Sequence, residues 1–376
     1  MLALGALVVL AVLVAGSSTI ALQESRLGQN QLVQARAFAV AEYGLNKIQA
    51  DWDKTPNLQM KNGESYPTEY TLANQGTAAV KYTRLNNETF WIVSEGQAVV
   101  GNTASKSRTA IKRIGAILRL RIPSIKVDAA VTTAGGLDIK GASAISGNNA
   151  LPTDWDGCDE TQPGKPAIVA PPGETVFIQK ASAVTSPNGS GTDAVTRDAA
   201  AADTMTYGNF GDETWASLYE LRNVTITTGS SGAAPDTTNG ACDRTVNTNW
   251  GEPWRAPKAG VLTACQNYFP IIYSSTTLHL NHGRGQGILL IDGDFKFNGN
   301  FEWYGLIIVR GKILKSNGTA KLYGGIMAAH IDTPSDTDDV FNGTIDVYYS
   351  QCSLEHAMRG SATVVQAKER AWAELY

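Results

Sequence analysis

The sequence predicts an α+β chain: a long N-terminal α-helix, a small antiparallel β-sheet, and a mostly-β, solenoid-like C-terminal domain. Three observations predict it. Residues 1–23 carry no charge and lead without a proline into an amphipathic stretch. Residues 56–122 alternate β-rich runs with Asn/Gly turns. Further on, the motif Asn-Gly-x-x-x-x-Tyr occurs three times, at Asn298–Tyr304, Asn317–Tyr323 and Asn342–Tyr348. The expected segments are 1–55, 56–122 and 123–376, the last with a polar insertion at about 150–260.

The N-terminal helix comes first. About 20 apolar residues at 1.5 Å each match the hydrocarbon core of a bilayer. A cleaved secretory signal is the other reading of such a run. It needs a basic start, and no Lys or Arg precedes this one. The run offers Leu2, Leu4, Leu7, Val8, Val9, Leu10, Val12, Leu13 and Val14 as residues that bury against other apolar surfaces. Downstream, Val33, Ala37, Ala41, Leu45, Ile48 and Trp52 recur at helical spacing and mark one face of the same helix. The stretch is rich in Gln, Ala, Leu, Glu and Arg, all good helix formers. The first firm stop is Thr55-Pro56, because the residue before proline avoids helical geometry. A signal peptide or a bare anchor needs no such apolar stripe. This helix is expected to be embedded at one end and packed on a globular domain at the other.

Those residues carry a resemblance. The apolar run is followed by Leu22-Gln23-Glu24-Ser25-Arg26. Then comes Gln34-Ala35-Arg36-Ala37-Phe38-Ala39-Val40-Ala41-Glu42-Tyr43-Gly44-Leu45. The pattern resembles type IV pilin-like proteins, in particular the PilX-type N-terminal segment of pilus assembly proteins and minor pilins, over about the first 50 residues. The resemblance implies a homo-oligomeric helical filament assembled through this helix. It implies an inner-membrane anchor before assembly and an extracellular, cell-surface location afterwards. Such proteins are made with a short leader, and a chain that starts at the apolar run looks like a mature form. One departure stands out. Pilins carry Glu at the fifth mature position, whereas Gly5 stands here.

The second segment reads as a β-meander with turns at Asn74-Gln75-Gly76, Asn86-Asn87-Glu88 and Gly101-Asn102-Thr103. A sheet face here would cover the stripe from Val33 to Trp52. Lys106, Arg108, Lys112, Arg113, Arg119 and Arg121 fall in it, and are expected to form a solvated strand face. The whole chain has a net charge of −4. No direct binding of nucleic acid is therefore expected.

The third segment holds the repeats. The first two copies of the Asn-Gly motif are followed by strand-like runs, GLIIVRG and GGIMAAH, and an earlier cousin is GILLIDG at Gly287–Gly293. A period near 19 residues with Gly/Asn turns is the mark of stacked β-coils. An ordinary sandwich is the alternative. A weaker cousin, Gly136–Gly141, echoes Gly293–Gly299. The Ser/Thr/Ala-rich insertion reads as a displayed loop region able to carry O-glycans. It has β-like pieces at KPAIVA, ETVFIQK and NVTITTG, and a helix at DETWASLYELRN. The tail from Val364 to Tyr376 reads as a short segment that docks on a neighbour.

Chemistry is sparse. Cys158, Cys242, Cys265 and Cys352 form no CxxC pair, so two disulfides are expected in an oxidising compartment. Three connectivities are open, and the near-equal spacings favour 158–242 with 265–352. His279, His282, His330 and His356 lie in no catalytic motif, and Gly283–Gly287 reads as a tight turn. Asp332, Asp336, Asp338 and Asp339 form an acidic turn whose spacing is not that of an EF-hand calcium loop. No enzyme activity and no cofactor are expected. The leading expectation is a structural filament subunit. The alternatives are a minor tip subunit, acting as an adhesin or priming element on other pilins or surface ligands, and a secretion-system pseudopilin.

Overall fold

The computed structural model describes residues 2–375 apart from 53–56, 58–59, 101–107, 160, 211–212, 298, 315–317, 331–338 and 367–371; the side chains of 1–11 and of a few other positions are also outside the description. The chain divides into two compact units, Met1–Leu120 with Val364–Tyr376, and Arg121–Thr363.

The first unit is a helix on a sheet. Helix α1 spans Leu2–Ala50, the length expected of a proline-free run of good helix formers. Four antiparallel strands follow: β1 (Ser65–Leu72), β2 (Gly76–Arg84), β3 (Thr89–Val100) and β4 (Arg108–Arg121). They pair strictly in chain order. The even-numbered residues of β2, β3 and β4 point inward, giving Ala78, Val80, Tyr82, Phe90, Ile92, Ile114, Ala116 and Leu118 as the buried face. Period-2 alternation in the sequence becomes one covered face here.

The helix sits unusually close to that face, and two glycines allow it. A Cβ on Gly44 of α1 would lie 2.5 Å from the Ala78 side chain, and one on Gly96 of β3 would lie 2.2 Å from the Ala37 carbonyl oxygen. At the far end of the stripe, Trp52 packs edge-on against Phe90 at 4.7 Å and Tyr82 at 5.9 Å between ring centroids. Burial pushes the Tyr82 hydroxyl up to about 12.

The C-terminal tail, which the sequence groups with the third segment, belongs to this unit. Trp372–Leu375 pairs antiparallel with Arg113–Ala116 of β4. Glu374 binds Lys112, and Trp372 meets Phe38 edge-on at 6.3 Å. The expected docking partner is thus the chain's own β4 edge. An edge strand offers unpaired N–H and C=O groups, and the tail satisfies part of them.

The second unit is mostly β. Three long strands, Leu278–Ile291, Asn300–Val309 and Thr319–Ala328, lie side by side in parallel, and Thr344–Tyr349 continues the row. The repeated runs align as the sequence reading placed them: Leu289, Ile307 and Ile326 are in register, as are Tyr304, Tyr323 and Tyr348. The three tyrosines stack at 4.9 and 5.2 Å between centroids, and Trp155 caps the stack at 5.5 Å. Next to them Gly287, Gly305 and Gly324 also stand in register, all with positive φ. A Cβ on Gly305 or Gly324 would sit about 2 Å from the carbonyl oxygen of the glycine below it, so only glycine fits at this bend.

These strands belong to an open, branched 14-stranded sheet, and Asp339–Phe341, Leu137–Ile139 and Val176–Ile178 form a separate parallel one. A regular solenoid is therefore not shown. Unequal connections work against strict periodicity: the motif copies are 19 and then 25 residues apart.

Three further expectations change. The segment at 150–260 is not a loop region set apart from the core. It supplies Ile168–Ala170, Val184–Ser186, Val195–Arg197 and Val224–Ile226 to the large sheet, and it buries Trp250, Tyr207, Phe210 and Leu218. Its strands are three-residue pieces, too short to show periodicity. Its expected helix is α2, Trp215–Glu220, closed by a capping box at Thr214 and Ser217. Gly283–Gly287 is not a turn but the middle of the first long strand. Finally, the disulfides are Cys158–Cys352 and Cys242–Cys265, not the pairing favoured by spacing. Cys352 opens helix α3 (Gln351–Gly360). Folding brings it to Cys158 across a separation of 194 residues, whereas Cys242 and Cys265 are 23 apart.

Candidate assembly segment

Helix α1 has two unlike halves. Every described side chain from 12 to 32 is exposed, and the first buried one is Val33. Over that run, about 30 Å of helix, Val12, Leu13, Val14, Ile20, Leu22, Leu27 and Leu32 all face solvent, Val12 and Leu13 at 65%. Isolated exposed leucines are ordinary; here the apolar residues are concentrated in 12–22, ahead of the polar stretch Gln23–Arg26, and an exposed apolar stretch of this kind is a candidate interaction surface. Leu2, Leu4, Leu7, Val8, Val9 and Leu10 lie in the helix, and their side chains are outside the described residues.

Three hydroxyls inside the apolar part of the run are already satisfied. The hydroxyls of Ser17, Ser18 and Thr19 donate to the carbonyl oxygens of Val14, Ala15 and Gly16, at 3.0, 3.0 and 2.7 Å. A hydroxyl bonded to its own helix loses little on entering an apolar environment. Residues 12–22 can therefore leave water without stranding a hydroxyl donor. The sequence reading did not anticipate it, although Ser and Thr inside a helix are its visible signal.

The second half is held. Val33, Ala37, Ala41, Leu45, Ile48 and Trp52 are all buried, as the helical spacing requires. Tertiary anchors reinforce the junction between the halves. Arg108 of β4 donates to the carbonyl of Arg26 and to the Asn30 side chain, at 3.1 and 2.8 Å. Among the described residues, no helix is long and apolar enough to cross a membrane.

The remaining candidates are placed by the contacts they make. Arg113 pairs with Glu95, Arg119 with Glu88 at 3.1 Å and Arg121 with Glu213 at 2.7 Å; Lys106 lies outside the described residues. His330 pairs with buried Asp339 at 2.9 Å, and that carboxylate also accepts from Thr133 and from the Ile313 amide. Asp332, Asp336 and Asp338 of the acidic turn lie outside the described residues. His356 packs on Trp155 and lies near Cys158 and Cys352, but those sulfurs are bonded to each other and are not free ligands. Asp292 binds Arg310 at 2.9 Å, and Asp294 accepts from the Lys312 amide. His330 Nε2 also lies 3.3 Å from the Thr133 hydroxyl, so His330, Asp339 and Thr133 form one buried cluster.

No protein-family model matches this chain, and no curated protein matches it. Among solved structures, the competence-associated pilin ComZ from Thermus thermophilus matches at 13% identity. That match covers 92% of this chain and 96% of the other, with a TM-score of 0.22. At that level of superposition the likeness carries no argument.

Proposed function

We propose that this chain is a subunit of an extracellular type IV pilus-like filament, assembled through the first half of helix α1. The observation that carries the reading is the exposed, uncharged apolar run that continues into a docked amphipathic half. Packing such runs side by side would remove their surface from water at roughly 25 cal/mol per Å². The bonded hydroxyls of Ser17, Ser18 and Thr19 fit a dry filament core. The PilX-type pattern from Gln34 to Leu45 supports the same reading. Before assembly, the run would be held in the inner membrane.

In this reading the first unit joins the helix core, and the second is displayed. The in-register strands at 278–349 would act as a short solenoid-like stack that gives the displayed part its stiffness.

The test is imaging of cell-surface fibres with and without this gene, and with Leu7→Asp or Val8→Asp. Fibres are expected to vanish in each variant, while the protein is still made. Unchanged fibres in the Asp variants would remove the helix-core mechanism. Abundance separates the roles: a dominant band in purified fibres marks the main subunit. Labelling at one fibre end marks the tip subunit, and short periplasmic assemblies mark a pseudopilin.

A further inference from the structure

The outer face of the long parallel strands carries a groove of about 450 Å³, lined by Trp254, Arg284, Asn300, Glu302, Thr319 and Lys321 among others. That volume lies in the range of small-ligand sites. Its floor is built and rigid. Glu252 is fully buried and holds Arg284 with two hydrogen bonds, at 2.8 and 2.7 Å. The same carboxylate accepts from the backbone amides of Trp254 and Leu262. Arg284 lies over the Trp254 ring at 3.9 Å, and Lys258 lies over that ring at 3.4 Å. The indole N–H donates to Glu302 at 2.6 Å. The ring is thus occupied by cations and is a wall rather than a stacking platform.

The rim is different. Asn300, Thr319 and Lys321 are exposed, and their side chains make no hydrogen bond within the chain among the described residues. Strand register places Asn300 beside Thr319 and Glu302 beside Lys321, roughly 4.8 Å apart. Continued across four strands, the second row reads Arg284, Glu302, Lys321, Asp346, alternating in sign. An anion approaching this face meets Glu302 and Asp346, and a cation meets Lys321 and Lys258. A hydroxyl donates to the carboxylates and accepts from the ammonium and amide groups.

We propose that this groove binds an uncharged saccharide, recognised by its hydroxyls at Asn300, Glu302, Thr319 and Lys321. The floor is pre-organised by Glu252, so little ordering is needed on binding. The proposal goes beyond the filament reading and stands or falls separately from it.

The test uses the full chain in a sugar-free alkylphosphocholine micelle. Maltohexaose, cellohexaose and N-acetylchitohexaose are the probes, polygalacturonate is the anionic arm, and titration calorimetry is the readout. At least one neutral oligosaccharide is expected to bind saturably. Asn300→Ala and Lys321→Ala are each expected to weaken it by about ten-fold, with an unchanged thermal midpoint. Lys81→Ala, on the other unit, should bind normally. The proposal is overturned if none of the three oligosaccharides binds. It is equally overturned if both groove variants bind as tightly as the parent, or if only polygalacturonate binds and salt abolishes it.

Discussion

In the unit made of 1–120 and 364–376, β1 to β4 pair antiparallel with their chain neighbours, and a helix covers one face. In the unit made of 121–363, the main ladders are parallel and join distant residues, such as Val131 to Ile326 and Leu137 to Asp339. The two also treat apolar surface differently. The second unit holds an aromatic core, with Trp250, Trp303, Phe295, Phe297, Phe301 and Phe341 fully buried. The first buries one helix stripe and leaves residues 12 to 32 without cover. A chain able to bury these aromatics nevertheless leaves the apolar stretch 12–22 of its helix bare. The difference teaches that the two units bury apolar surface by different means, and under the filament proposal the bare end is the part covered by other copies.

That contrast can be broken at graded cost. The largest effect is expected at the glycine bend of the second unit. Ile48→Ala in the first unit follows, and a surface pair comes last. Gly305→Val would place a side chain about 2 Å from the Gly287 carbonyl at positive φ. It should destabilise that unit by about 4 kcal/mol, read as loss of its denaturant transition while α1 remains helical by circular dichroism. An unaffected transition would show that the stacked glycines are not a constraint. Ile48→Ala removes a fully buried side chain from the stripe and should cost about 3 kcal/mol. Its readout is faster amide exchange in β2 and β3, with the second unit unchanged. Equal loosening of both units would mean that they unfold together. Arg113→Ala breaks a solvent-exposed pair with Glu95 on β3 and should move stability by less than about 0.5 kcal/mol. A shift several times larger would indicate that this pair sets the register of β3 against β4.

Much of the first unit was legible because its signals are local. Spacings of three and four from Val33 to Trp52 give the docked face directly. The period-2 runs give the strands, and turn residues such as Asn74 and Gly76 adopt positive φ where the chain reverses. The repeated motif likewise places Tyr304, Tyr323 and Tyr348 at matching offsets, and identical residues at matching offsets stack when strands lie parallel in register. The failures share one cause. The disulfide partners, the strands within 150–260 and the return of the tail to β4 all depend on which distant segments meet.

The candidate surfaces divide the same way. The apolar run could be named from composition alone. The groove could not, because Glu252, Trp254, Arg284, Glu302 and Lys321 come from separate stretches, and their charges balance only once the strands align.

The sequence by itself determined a charge-free helix continued by a docking stripe, a four-stranded meander and three copies of one β-motif, because periodicity acts over neighbouring residues. Only the tertiary structure decided that the tail closes the meander's edge, that Cys158 meets Cys352, and that a buried glutamate sets the floor of a groove on the long parallel strands. Pairings between distant residues are selected by the packing of the whole unit, and no local pattern records them.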